Sequence, residues 1–246
     1  MVIILYINDF SSAIESIDKY KIEKFDERHS IEIDGVKYYP LFLVLYAKKA
    51  LLGKIIRTFT KEAFSHISIS FNTSFNTLYS FGTRLNKDEN GDITKQFGFG
   101  LETFSDKYDE KVKYPSDTNI LINCIYFSKE QMLSIRDYVY DMVNNAEKYK
   151  YHKMGLVKYA FGKKSGDAQH MFCSQFVAEV LKFGTPIGRD SSLYSPYGIL
   201  DNDNIVRVWE GFLGNYDKKS FDMMMDGVSR YVLKNRLIYT NEENNE

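Results

Sequence analysis

Two side chains in this sequence belong to the types that carry out nucleophilic chemistry when they are paired: a cysteine, Cys173, and a histidine, His66. Cys173 stands in Phe172-Cys173-Ser174-Gln175-Phe176-Val177-Ala178-Glu179-Val180-Leu181. Phe176, Val177, Val180 and Leu181 follow it at helical spacing, which predicts a helix with one apolar stripe beginning at the cysteine. A thiol there sits beside unpaired backbone N–H groups and the positive end of the helix dipole. That setting lowers the thiol pKa and favours the nucleophilic thiolate. The same N–H groups could hold an oxyanion during acyl transfer, so Ser174 and Gln175 are candidates for that part of the site.

His66 lies in Phe64-Ser65-His66-Ile67-Ser68-Ile69-Ser70-Phe71, which alternates strictly. Ile67, Ile69 and Phe71 point one way; His66, Ser68 and Ser70 point the other, as in a half-buried strand. A turn-like stretch, Asn72 to Asn76, leads to a second short strand, Thr77-Leu78-Tyr79-Ser80-Phe81, ending at Gly82. A hairpin between the two would return Ser80 near His66, where its hydroxyl could orient the ring. Nucleophile, base and orienter then stand in the chain order His, polar residue, Cys.

Other residues near these motifs are weaker candidates. His170 precedes Cys173 by three and is either an alternative base or a residue of the cleft wall. Tyr46 and Tyr79 are candidate cleft-lining rings, with core or rim packing as the plainer role. His29 and His152 read as surface residues. Four histidines without a Cys/His cluster at ligand spacing predict no metal site. Asp88, Asn90 and Asp92 alternate as in a calcium loop, but Ile93 and Phe99 occupy the positions that need Gly and Glu. Cys124, in Asn119-Ile120-Leu121-Ile122-Asn123-Cys124-Ile125-Tyr126-Phe127, reads as a small apolar or strand-surface side chain of a strand, with no helix start beside it.

The elements that must position these groups follow the same logic. Tyr39 to Tyr46 is an extended run, Leu52 to Thr60 a short helix leading to the His66 strand, and Gln96 to Glu102 a further strand. Ser128-Lys129-Glu130-Gln131 is a capping box opening a helix to about Lys148. Met154 to Phe161 reads as a shorter helix, and Lys163 to Asp167 as the turn that delivers the chain to Cys173. Asp34-Gly35, between Ile31-Glu32-Ile33 and Val36-Lys37-Tyr38, is a hairpin signal. The domain reading is an N-terminal extension over 1–37 (a flap or an added sheet edge) and a core over 38–213. A C-terminal helix with a disordered polar tail would occupy 214–246.

This order resembles the circularly permuted papain-like cysteine hydrolases, among them the YiiX-like bacterial amidases and the lecithin retinol acyltransferase relatives. In site architecture it is also similar to the NlpC-type cell-wall peptidases. The resemblance spans roughly 38–213 and is carried by Ser65-His66-Ile67-Ser68-Ile69, Leu78-Tyr79-Ser80-Phe81-Gly82, the Cys173 helix, and Ser195-Pro196 with Leu200 beyond it. It implies an α+β class with a permuted papain-like fold, an antiparallel sheet packed on helices with the cysteine at a helix N-terminus. It implies acyl transfer: Cys173 attacks a carbonyl, His66 moves the proton, and Ser80 orients His66. Relatives carry His, Asn, Gln or Glu at the third position, where this chain has Ser80. No metal or organic cofactor is needed.

Composition agrees with an enzyme-sized α/β domain. The chain has 246 residues, 44% of them hydrophobic, with 19 Tyr and 18 Phe, enough for a core of large rings. A net charge of −1 excludes a general drive toward nucleic acid or anionic membrane. Two cysteines exclude a disulfide framework. Met1 to Ile7 is apolar, but Asp9 ends it and no basic region precedes it. No stretch reaches transmembrane length, so the expected location is cytoplasmic, or a virion if the gene is a phage's.

Three functions are compatible with these features. The first is a cysteine amidase or peptidase acting on a peptide or small amide, with cell-wall peptides as one substrate class. The second is a lipid-directed acyltransferase or thioesterase. The third is a non-catalytic binding or structural protein, for example of a phage, that retains the fold.

Overall fold

The structure is a computed structural model that describes residues 24–47, 62–87, 93–102, 104, 116–152, 155, 159, 162–164 and 168–239. Seven expectations fall wholly or partly outside them: the 1–7 segment, the 1–37 extension, the 52–60 helix, the Asp88 loop, the 154–161 helix, the 163–167 turn and the polar tail.

The longest apolar run, Val36–Tyr46, forms β2, and the sheet is built around it. Its residues from Leu41 to Tyr46 are fully buried, because both faces of the strand are covered. β1 (Ile31–Ile33) precedes it and is followed by β3 (His66–Ser70), β4 (Leu78–Lys87), β5 (Ile93–Glu102) and β6 (Asn119–Ser128). β7 (Lys150–Tyr151), β8 (His170–Met171) and β9 (Val206–Phe212) complete nine strands among the described residues. Their order is β8-β7-β5-β4-β3-β2-β6-β9, with β1 extending the β3 side of β2. Every pairing is antiparallel except the short β7–β8 contact. The class is therefore mixed α and β on a mostly antiparallel sheet. The β1–β2 turn is Asp34-Gly35, both at positive φ (52° and 79°), as a type I′ hairpin requires. Of the N-terminal extension expected over 1–37, the part that is described thus joins the main sheet.

Three α-helices are described: α1 (Lys129–Asn144), α2 (Cys173–Leu181) and α3 (Lys218–Asn235). α1 opens with the expected capping box, Ser128 Oγ accepting from the Gln131 N–H and the Gln131 side chain returning to the Ser128 N–H. It ends at Asn144, about a turn before the expected Lys148, and Asn145 caps it by donating to the Asp141 carbonyl.

Strand alternation divides the interior into two apolar clusters. Leu41, Leu43, Leu45, Ile67, Ile69, Phe81 and Phe99 pack with α1 and α2. Phe42, Val44, Tyr46, Leu78, Ile122 and Cys124 pack with Phe221, Met225 and Val232 of α3. α3 is further tied to the 26–29 segment. Arg28 Nη1 meets Asp222 Oδ2 at 3.0 Å, and His29, with its side chain almost fully buried, meets Asp26 at 2.9 Å and Asp226 at 3.5 Å. The His29 carbonyl also accepts from the Tyr126 hydroxyl. His29 is thus an interior residue, where sequence placed it at the surface.

The turn after α2 fits closely against the end of β6 and the start of α1. A Cβ built on Gly184 would lie 2.3 Å from Phe127 Cδ1 and 2.9 Å from Gln131 Cδ. Gly184→Ala is therefore expected to destabilise by about 1–3 kcal/mol through overpacking, read as a lowered urea midpoint at unchanged slope. An unaltered midpoint would mean that this contact yields freely.

Candidate functional site

α2 starts where the sequence places it. Phe172, in extended conformation (φ −117°, ψ 170°), is the N-cap, and Cys173 is the first helical residue. No side chain caps this end, so the first-turn N–H groups have no side-chain acceptor from Phe172. Ser174 and Gln175 are buried in that turn. Ser174 Oγ donates to the Tyr194 carbonyl at 2.7 Å, which fastens the helix start to the 194–198 loop. Cys173 is buried in the α1/α2 cluster, close to Tyr151. Burial pushes the Tyr151 phenol well above its ordinary pKa, and negative charge on Cys173 pushes it further. Cys124 is fully buried in the other cluster, and burial alone drives its thiol far up.

His66 is the first residue of β3, opposite Tyr46 of β2. The Tyr46 ring stacks on the imidazole, with centroids 5.6 Å apart and planes 25° from parallel. His66 Nε2 lies 2.9 Å from Glu102 Oε1 and 3.1 Å from Oε2. Ser68 Oγ donates to Glu102 Oε2 and sits 3.3 Å from His66 Nε2. The imidazole and the carboxylate are both almost wholly buried, with side-chain exposures of 4% and 2%. A carboxylate in such surroundings is tolerated only with its oxygens occupied by donors, and here Ser68 and His66 occupy them. Glu102 ends β5, two strands away from His66. Between them, Ser80 on β4 faces Gly100 on β5, and neither has a side chain long enough to block the reach.

Ser80 does not make the expected hydrogen bond to His66. Its hydroxyl donates to the Ile67 carbonyl at 2.6 Å. β3 and β4 share a single register pair, Ile69 with Tyr79, so the Ile67 carbonyl finds no ladder partner on β4 and the serine supplies one. The group on the ring nitrogen is Glu102, which the sequence reading passed over. The signal available was parity. In Phe97-Gly98-Phe99-Gly100-Leu101-Glu102 the glutamate falls on the glycine side of the strand, the side that carries His66 and Ser68.

The remaining candidates, Tyr79 and His170, lie apart from the His66 group. Tyr79 is buried beside Phe71 in the α1/α2 cluster, with centroids 5.6 Å apart. His170, on β8, is half-buried and meets the His152 ring edge-on at 6.3 Å. His66 is thus brought together with Glu102, Ser68 and Tyr46, and Cys173 with Tyr151. The two groups approach the same end of β3: Phe64, two residues before His66, packs in the cluster that holds Cys173. Among the described residues, no group of three or more His, Cys, Asp or Glu side chains is placed to hold a metal, and no helix is long and apolar enough to cross a membrane.

No known protein family matches this chain, and no curated protein matches it.

Proposed function

We propose that this chain is a cysteine-dependent acyl-transfer enzyme of the permuted papain-like type, an amidase or peptidase. In this reading Cys173 is the nucleophile, His66 the base and Glu102 the group that orients His66. The observation that carries it is the Glu102 carboxylate on His66 Nε2. A buried acceptor on one ring nitrogen fixes the tautomer and leaves Nδ1 as the nitrogen for a thiol. A carboxylate also stabilises the imidazolium better than the serine expected there would.

The reaction balances without a cofactor. His66 Nδ1 takes the Cys173 proton, and the thiolate attacks the carbonyl carbon of an amide. The oxyanion rests on backbone N–H groups of the first turn of α2. The C–N bond breaks as His66 returns the proton to the departing amine, leaving a thioester. Water, deprotonated by His66, hydrolyses the thioester, and the free thiol returns. The substrate class is a peptide or small amide, with peptidoglycan-type peptides as one member and a lipid acyl group as the alternative.

A second reading is favoured by one observation, the burial of Cys173 at 2% exposure within the apolar cluster under α1 and α2. On that reading the chain keeps the fold for binding and has no turnover.

Iodoacetamide separates the two. Cys173 is expected to be alkylated with an apparent pKa well below the free-thiol value of about 8.5, and the profile to move up in His66→Ala and Glu102→Gln. Cys124, buried with its pKa driven up, serves as the unreactive thiol of the same molecule. A Cys173 profile at the ordinary thiol value, indifferent to both substitutions, would sink the enzyme reading and leave the binding one.

A further inference from the structure

A pocket of about 280 Å³ opens beside α2, away from the Cys173 end of the helix. Its floor is apolar: Leu181 and Ile199 are buried there, and Ile187 closes one side. Its rim carries one charge of each sign. The Arg189 guanidinium lies 4.5 Å from the centroid of the Tyr194 ring, and its Nη2 is 3.7 Å from Asp201 Oδ2. That separation is longer than the roughly 2.7–2.9 Å of a charge-assisted hydrogen bond, so both groups retain capacity for another partner. Both are also well exposed, at 49% and 72%, and can adjust to a ligand at small cost. The walls are fixed independently. The Tyr194 carbonyl is held by Ser174, and Asn202 donates to Thr185 Oγ1 at 3.0 Å while accepting from the Asn204 N–H at 3.0 Å.

We propose that this pocket binds a small zwitterion, an α-amino acid with a branched apolar side chain. Cation and carboxylate stand side by side on the rim, as the carboxylate and ammonium do on one α-carbon, and the floor takes the side chain. A ligand of a single charge would leave one rim group facing a like charge or nothing. The volume is at the small end of ligand pockets, roughly 300–1,000 Å³, which fits an amino acid and excludes a long peptide or lipid. On α2 the lining residues Ala178 and Leu181 lie five and eight residues beyond Cys173, about 7.5 and 12 Å along the helix axis at ~1.5 Å per residue. The site uses neither the proposed nucleophile nor the proposed base, so it does not rest on that reading.

Calorimetric titration of the full chain with L-leucine, Nα-acetyl-L-leucine and L-leucinamide tests this. Leucine is expected to bind, and each blocked analogue to bind at least about tenfold more weakly, about 1.4 kcal/mol at 25 °C. Arg189→Ala and Asp201→Asn should each weaken leucine by a similar factor, while Cys173→Ala leaves it unchanged. Both charge variants alter exposed side chains and should fold normally. Absence of binding at about 10 mM leucine, a concentration that reveals affinities near −3 kcal/mol, would overturn the proposal. So would equal affinity for the analogues, or indifference to both charge substitutions.

Discussion

Glu102→Ala is expected to cost about 2–6 kcal/mol of folding stability, two buried hydrogen bonds to the carboxylate at about 1–3 kcal/mol each. The reason is what remains behind. Alanine leaves His66 Nε2 and the Ser68 hydroxyl buried, with the carboxylate that engaged both of them gone. Each hydrogen bond to the carboxylate that is lost costs about 1–3 kcal/mol, and the side chain leaves a cavity as well. Glu102→Gln should cost less, because the amide oxygen still accepts and the shape is kept. The loss can be followed by urea unfolding with the single tryptophan, Trp209, as reporter. A Glu102→Ala protein less than about 1 kcal/mol weaker than wild type, the size of one ordinary hydrogen bond, would show that water replaces the carboxylate and that the pair is not sealed.

The second large effect lies at the seat of α2. Phe176 is fully buried, with ring centroids 5.7 Å from Phe81, 5.5 Å from Phe99 and 6.5 Å from Tyr138. It therefore bridges β4, β5 and α1 one turn below Cys173. Phe176→Ala is expected to cost about 3–5 kcal/mol, the transfer and cavity terms together. It should also loosen the helix start, so that Cys173 is alkylated faster at every pH without a change in the shape of the profile. Phe176→Leu keeps most of the volume and should cost less than about 1.5 kcal/mol. Equal losses for the two substitutions would show that the ring edges, not the volume, hold α2 in place.

Local chemistry made much of this architecture legible. Cys173 at a helix start follows from the apolar stripe behind it, the β1–β2 turn from Asp34-Gly35, and α1 from Ser128 and Gln131. Each rests on residues within one turn or one hairpin of each other, where spacing is informative. The partner of His66 was not legible in this way. Glu102 stands 36 positions along the chain and two strands across the sheet, and sequence holds no register for strands joined by a long loop. The nearer Ser80, on the correct face, attracted the assignment, yet its hydroxyl was claimed by a carbonyl that a sparse ladder had left open. His29 misled for a related reason. Its neighbours Glu27, Arg28 and Ser30 look solvated, while its two carboxylates come from Asp26 and from α3, almost two hundred residues away.

The place of β2 between β3 and β6 bears on how the chain is born. β2 is complete once residue 46 has been made, but β6, which pairs along its edge from Tyr38 to Tyr46, begins only at Asn119. At about 5–20 residues per second, a ribosome leaves one edge of an eleven-residue, mostly apolar strand without its partner for on the order of ten seconds. Unpaired apolar edges recruit other strands, so this is the interval in which nascent chains are most prone to stick to one another. Slower translation between residues 46 and 128 should lower the soluble yield, whereas slowing after residue 128 should leave it unchanged.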